Sequence, residues 1–129
     1  MPEHPGLNVD NLVEFCEDEV GEGLRLVSVV EGEDLTNVFF RESVERRYSW
    51  EKLAGITDAF LAIGREFDDL YTHQTPLGQK EAVVVSFRNA HVFLFPVSGE
   101  TTVLLSVDRE VGSNLSTFVE RCSNELYEF

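Results

Sequence analysis

The chain has 129 residues, a mass of 14.6 kDa and 43% hydrophobic residues, a composition that excludes general disorder. Its 24 acidic and 10 basic residues give a formal net charge of −14, which disfavours nucleic acid and anionic membranes as partners because both would repel the protein. No apolar run approaches the roughly 20 residues that span a bilayer, and the polar start does not resemble a secretory signal, so we expect a cytoplasmic protein.

The acidic residues are spread along the whole chain, and lysine is nearly absent. Lys52 and Lys80 are the only lysines, while the other eight basic residues are arginines. Such a surface is typical of proteins kept in molar salt, where a Debye length of about 3 Å screens self-repulsion. We therefore expect a halophilic cytosol. The alternative is an acidic adaptor protein from a mesophilic cytosol.

The first part of the chain predicts a helix followed by two strands. The helix is capped by Asn8 or Asp10, and apolar residues recur in it at helical spacing until two glycines end it. Residues 24–30 and 35–40 are rich in branched and aromatic residues and predict strands. The acidic turn at residues 31–34 connects them.

The clearest helix runs from about Trp50 to Tyr71, with Ser49 as its N-cap. Six apolar residues spaced 3, 4, 3, 4 and 3 apart lie on one stripe, which we expect to face the core. A second stripe lies away from the first and suits docking of another helix. The alternative is a helix buried on both sides within one chain. The core stripe is Leu53, Ile56, Phe60, Ile63, Phe67 and Leu70, and the second stripe is Trp50, Ala54, Leu61 and Arg65.

Three strands and a last helix complete the chain. Residues 81–87, 91–97 and 101–107 are apolar runs joined by short turns, so neighbouring strands should be antiparallel. Ser113 or Asn114 caps the last helix. The order αββαβββα predicts an α+β fold in which a central five-stranded antiparallel sheet carries helices on both faces. We expect one domain that spans the whole chain, residues 1–129.

Several segments in the second half, together with this element order, resemble the roadblock family of dynein-light-chain-like proteins, a branch of the profilin-like folds. Ala82–Val85 and Val92–Val97 look like two strands of that family, and Ser98-Gly99-Glu100 looks like its tight turn. Thr102–Asp108 resembles the family's last strand, and Val111–Leu115 resembles the lead-in to its final helix. In its acidic, lysine-poor composition the chain resembles a haloarchaeal, and therefore archaeal, member of that family.

This resemblance implies a homodimer in which the third strands of two copies pair and the long middle helices lie side by side. It also implies a non-enzymatic adaptor that regulates a small Ras-like GTPase and binds no nucleotide or other cofactor itself. Val83, Val85 and Phe87 alternate along the third strand, which lacks the charges that usually block an open edge. We therefore expect this strand to pair with its copy.

The sequence carries no pattern typical of a catalytic or metal site. His4, His73 and His91 lie too far apart to suggest shared metal binding, and the chain contains no phosphate-binding loop or nucleophile elbow. Cys16 and Cys122 fall on the first and last helices, which should share one face of the sheet. Buried, inert thiols are favoured over a disulfide because a cytosol is reducing.

Two other functions stand beside the adaptor. A sensor of profilin-like architecture would hold a small molecule in a polar-lined cavity of several hundred Å3 between sheet and helices. The almost wholly apolar core positions disfavour that function. An enzyme is the least supported of the three, because the sequence offers no nucleophile–base pair or ligand cluster.

Overall fold

The computed structural model describes residues 9–71, 80–97, 100–111 and 115–126. The predicted Asn8 cap, the turn at Ser98 and Gly99, and the Ser113 or Asn114 cap lie outside the described residues. The helices are α1 (Val9–Val20), α2 (Glu42–Glu45), α3 (Trp50–Tyr71) and α4 (Leu115–Leu126). The strands are β1 (Leu24–Glu31), β2 (Asp34–Phe40), β3 (Val83–Ser86), β4 (Ala90–Pro96) and β5 (Thr101–Asp108).

The predicted fold class is confirmed, with two differences in the elements. The third strand is shorter than residues 81–87, because the amide of Phe87 donates to the carbonyl of Ala90 at 2.7 Å and closes the β3–β4 turn. The short helix α2 was not predicted. It forms where the chain leaves β2, and Val44 is the residue that it buries.

All strand pairs of the sheet are antiparallel, and the spatial order is β2-β1-β5-β4-β3. β1 and β2 form a hairpin in which Glu31 faces Asp34, and Gly32 takes a φ of +60° in the two-residue turn. Glycine adopts that left-handed conformation without the steric cost that a Cβ would bring. β5 runs through the centre of the sheet, and β2 and β3 are its two edges.

Each face of the sheet is covered by a different layer. α1 and α4 pack on one face, where Phe93 and Phe95 of β4 stack at a centroid distance of 6.3 Å. α3 packs on the other face, over β1, β4 and β5. The α1/α4 core contains Val9, Leu12, Cys16, Leu24, Val27, Val29, Phe93, Phe95, Val103, Leu105, Val107, Cys122 and Leu126. The α3 core contains Leu26, Val30, Leu53, Phe60, Leu61, Val92, Leu94 and Leu104.

An arginine–aspartate cluster ties together the ends of β1, β2 and β5. The guanidinium of Arg41 donates to both carboxylate oxygens of Asp108, at 2.9 and 3.1 Å, and Arg25 donates to the same carboxylate at 3.3 Å. Arg41 also donates to the carbonyl of Glu22, just beyond α1. The hydrogen bonds from Arg41 are the largest cause of a lowered pKa of Asp108, which partial burial opposes and Arg25 reinforces.

We predict that Asp108→Asn lowers the free energy of unfolding by about 1–2 kcal/mol at neutral pH, because it weakens charge-assisted hydrogen bonds. The folded-state pKa of Asp108 is lowered, so its stabilisation is present above the ordinary value of about 3.9 and is lost as pH falls through the folded pKa. Urea unfolding of Asp108→Asn and of the unsubstituted protein, from neutral to acidic pH, measures both free energies of unfolding. We expect the two values to converge as the pH falls.

Glu42→Gln is the control, since it breaks only the exposed Arg46–Glu42 pair and should leave stability nearly unchanged. A stability difference between Asp108→Asn and the unsubstituted protein that stays constant down to the acid limit would contradict the proposed role of the carboxylate.

Candidate docking surface

The long helix α3 turns a different side to the sheet from the one that its apolar spacing predicts. Leu53 and Phe60 are buried as expected, but Ile56 is 36% exposed and Ile63 is 53% exposed. Leu61, which was expected to face outward, is only 8% exposed and belongs to the α3 core. The side chains of Phe67 and Leu70 lie outside the described part of the structure.

The second predicted stripe is therefore not a single surface. Trp50 is 57% exposed and Arg65 is exposed, whereas Ala54 is half-buried. The outward orientation expected for Leu61 is wrong. The buried side of α3 contains Leu61 together with Thr57, a polar residue that is 3% exposed. A polar residue at a buried helical position does not register in a pattern of apolar spacing.

The exposed isoleucines continue into the edge of the sheet. Ile56, Phe60 and Ile63 follow each other at spacings of 4 and 3 and so share one side of α3. The ring of Phe60 meets the ring of Phe87, just after β3, edge to face at a centroid distance of 5.8 Å. Phe87 is itself 45% exposed. We call Ile56, Ile63 and Phe87 the apolar flank.

The two edges of the sheet differ in how well they are protected. At the β2 edge, Ser28 faces Asn37 and Val27 faces Phe39, so a β-bulge at Val38 interrupts the pairing. β3 pairs with β4 in continuous register, contains no charged residue and keeps its three valines half-exposed. Bulges and charges are the usual devices that prevent edge pairing, and β3 has neither.

The segment before β3 is attached to α3. The ammonium group of Lys80 donates to the carbonyl of Gly64 at 3.2 Å. This contact holds the start of the edge strand beside the long helix, and the contact between Phe60 and Phe87 joins the helix to the end of that strand. Val83 and Val85 pack partly against the α3 core, on the side of the sheet that this helix covers.

The two cysteines lie together in the α1/α4 core, a proximity that the sequence alone left open. Cys16 and Cys122 are free thiols with no exposed surface. A hydrogen bond with Cys16 and, secondly, burial raise the pKa of Cys122. A thiol with a raised pKa is a poor nucleophile and a poor metal ligand, so the pair behaves as part of the core.

His91 is buried beside β3, with its Nδ1 atom 2.8 Å from the Ser86 hydroxyl and its ring against Phe93. His4 and His73 lie outside the described residues. Within the described ranges, no group of three or more His, Cys, Asp or Glu side chains is placed to hold a metal ion. No helix in the described part of the chain is long and apolar enough to cross a bilayer.

An open hollow of about 610 Å3 lies at the end of α1, remote from the apolar flank. Exposed groups of Glu17, Glu22 and Ser43 line it, together with Leu24 and Phe39. It opens at the surface beside β2 and does not lie between the sheet and α3. It therefore does not provide the enclosed, polar-lined cavity that a sensor function would require.

A sequence profile of one protein family matches residues 10–127, nearly the whole chain. The chain belongs to this family, DUF7522, described as a domain of unknown function. A search of curated proteins finds no match. Membership of DUF7522 therefore identifies the relatives of the chain and leaves its activity to be argued from the structure.

Solved structures show which fold this family member shares. Myxococcus xanthus MglB superposes with a TM-score of 0.60 at 12% identity, covering 97% of this chain and 89% of that one. The gliding protein MglB of Thermus thermophilus superposes with a TM-score of 0.56 at 13% identity, covering 98% of this chain and 91% of that one. A structure described as MglB with tetrameric arrangement gives 0.53 at 12% identity, covering 98% and 90%. The predicted roadblock-type fold is confirmed by these likenesses.

We predict that two truncations on α3 differ in how much they destabilise the protein. Leu61→Ala should lower the free energy of unfolding by about 2–4 kcal/mol, because it opens a cavity in the α3 core. Ile63→Ala should change it by less than about 1 kcal/mol in dilute solution, because that side chain is half in water. Urea unfolding of both variants at low protein concentration measures the difference, and equal losses would contradict the observed orientation of the helix.

Proposed function

We propose that the protein is a non-enzymatic homodimeric adaptor that binds a small Ras-like GTPase on a platform formed by two α3 helices. The observation that carries the proposal is an uncharged β3 edge without a bulge, beside the exposed side chains of the apolar flank. The confirmed fold supports it, because the roadblock resemblance implies both the self-pairing and the GTPase partner.

Pairing of β3 with its copy would satisfy the backbone groups that this strand presents to solvent. An isologous interface places the same surface of each copy against the other around a twofold axis. Antiparallel pairing of two β3 strands would extend the sheet across both copies and bring the two apolar flanks close to the axis. Val83, Val85 and Phe87 then lie in the interface, as proposed from the sequence.

The helix contribution to this interface is revised. Ile56 and Ile63, on the side of α3 next to Phe87, replace Leu61 as proposed contacts, because Leu61 already belongs to the α3 core. Trp50 and Arg65, which are exposed, and Ala54, which is half-buried, remain proposed contacts for a partner protein.

We predict that the protein sediments as a dimer of twice 14.6 kDa and that Ile63→Asp converts it to a monomer. The new carboxylate would be buried without a counter-charge in the dimer, yet stays solvated in the monomer, where this position is 53% exposed. Sedimentation velocity at micromolar concentration, with circular dichroism to check the fold, measures the change.

Ala62→Asp is the matched control, because Ala62 is exposed and lies about 100° around the same helix from Ile63. It introduces the same charge beside the apolar flank but not on it, and should leave the dimer intact. A monomeric unsubstituted protein, or an Ile63→Asp variant that remains dimeric, would refute the proposed pairing.

The GTPase partner has its own test. Affinity-tagged protein is incubated with a native extract in high salt, and recovered proteins are identified by mass spectrometry. We expect a Ras-like GTPase among the recovered proteins. The purified GTPase should then bind with different affinities in its GDP-bound state and in its GTP-analogue-bound state. Recovery that survives Ile63→Asp unchanged would show that binding does not need the paired helices, and absence of any GTPase would remove this partner.

We also propose that the protein works in a halophilic archaeal cytoplasm, on the basis of its net charge of −14 and its scarcity of lysine. Repulsion among these charges grows as salt is removed, so we expect loss of dimer and then of helix signal on dilution from molar to millimolar potassium chloride. Circular dichroism across the dilution series measures this. A helix signal that stays constant throughout would favour the mesophilic alternative.

A further inference from the structure

The segment before and within the first turn of α3 has a charge opposite to that of the molecule. Residues 46–52 contain three of the chain's 10 basic residues, Arg46, Arg47 and Lys52, but only one of its 24 acidic residues, Glu51. All four of these side chains are exposed. Arg46 is paired with Glu42, whereas Arg47 and Lys52 have no ion pair within the described ranges.

Trp50 stands in this segment and is 57% exposed, more than any other large hydrophobic side chain of the described residues. The helical turn that carries Trp50 has a capped backbone. The amide of Lys52 donates a hydrogen bond to the Ser49 hydroxyl at 3.1 Å, and the amide of Leu53 donates one to the Ser49 carbonyl at 3.0 Å. The first turn of α3 is therefore capped. Trp and Arg are the residues most enriched at the energetic centres of protein interfaces.

This surface is separate from the proposed dimer interface. At 100° per residue, Trp50 lies about 120° around α3 from Ile56 and about 140° from Ile63. A second copy seated on the apolar flank would therefore leave Trp50 and the preceding arginines uncovered. The positive end of the helix dipole of α3 also lies here and favours an anionic ligand.

We propose that Arg47 and Trp50 form a docking site for a carboxylate-rich segment of a partner protein, in which an apolar partner side chain covers Trp50. The inference goes beyond the proposed function, because it requires neither a GTPase nor the dimer. Charge complementarity selects the partner: within a molecule of net charge −14, this segment attracts acidic groups while most of the remaining surface repels them.

A protein segment fits this site better than a membrane or nucleic acid. Both of those present anionic charge over an extended surface or chain, which would reach the acidic residues around the segment, such as Glu45 and Glu51. A short peptide segment places its carboxylates at Arg47 alone. The apolar contact with Trp50 then adds affinity that is independent of salt.

The test uses Trp50 as its own reporter, since it is the only tryptophan in the chain. Two labelled peptides of about 14 residues carry the same leucine and phenylalanine positions, with glutamate in one and lysine in the other. We expect saturable binding of the acidic peptide by fluorescence anisotropy and a blue shift of the Trp50 emission, because an apolar side chain replaces water around the indole.

Arg47→Glu should lower the affinity for the acidic peptide about tenfold, and Trp50→Ala should abolish its saturable binding. Arg88→Glu, the same charge change at an exposed arginine in the β3–β4 turn, and Ile63→Ala, a truncation on the apolar flank, are the matched controls and should leave affinity unchanged. Circular dichroism verifies that each variant is folded.

Other occupants are tested in the same experiment with vesicles of phosphatidylglycerol and with a short DNA duplex. A Trp50 blue shift with either of these but not with the acidic peptide would overturn the proposal. Equal binding of the two peptides, an equal loss of affinity in Arg88→Glu, or no shift of the Trp50 emission with any probe would overturn it too. Self-association that Trp50→Ala abolishes would assign the site to a second copy instead.

Discussion

An open β-sheet ends in two strands whose outward backbone donors and acceptors no strand of the same chain can satisfy. The sequence protects one of these edges and not the other. β2 carries a bulge at Val38 and begins at Asp34, whereas β3 is straight, uncharged and made of valines. The proposed pairing of two copies and the function built on it depend on this asymmetry.

The two faces of the sheet show a second asymmetry that points the same way. Two helices close the α1/α4 face around a large core that includes Phe93 and Phe95. One helix covers the opposite face, with Leu53, Phe60 and Leu61 as its buried apolar anchors among the described side chains. A single helix cannot shield a five-stranded sheet completely, so a flank of α3 and the edge beside it retain exposed apolar surface. A second copy is the simplest cover because it brings the same surface in return.

The element order and the hairpins could be predicted from the sequence, since short turns dictate antiparallel neighbours, whereas the edge position of β3 is known from the structure. The orientation of α3 could not. Apolar residues spaced 3, 4, 3, 4 and 3 occupy two neighbouring sides of a straight helix. Leu53 and Phe60 lie on one side, and Ile56 and Ile63 lie about 60° around the helix from them. Only the first side meets the sheet, and Leu61, on the opposite side of Phe60 from the isoleucines, is buried with it. Thr57 on the buried side gave no apolar signal.

Long-range charge pairing was equally hidden. Arg41 and Asp108 lie 67 residues apart in sequence, and Arg25 and Asp108 lie 83 apart, so no local pattern marks them as partners. The basic residues before Trp50 were visible in the sequence, but their meaning depends on exposure. The observed capped helix start shows that Trp50 is held in water on a fixed turn instead of folding back into the core.

Hydrogen exchange of the β3 amides tests the central claim most directly. Outward-facing amides of Val83–Ser86 should exchange slowly at high protein concentration and become fast on dilution or in Ile63→Asp, while the amides of β5 at the centre of the sheet stay protected throughout. Amides of β3 that exchange as fast as those of an unpaired strand at every concentration would contradict the account, because no second copy would then occupy this edge.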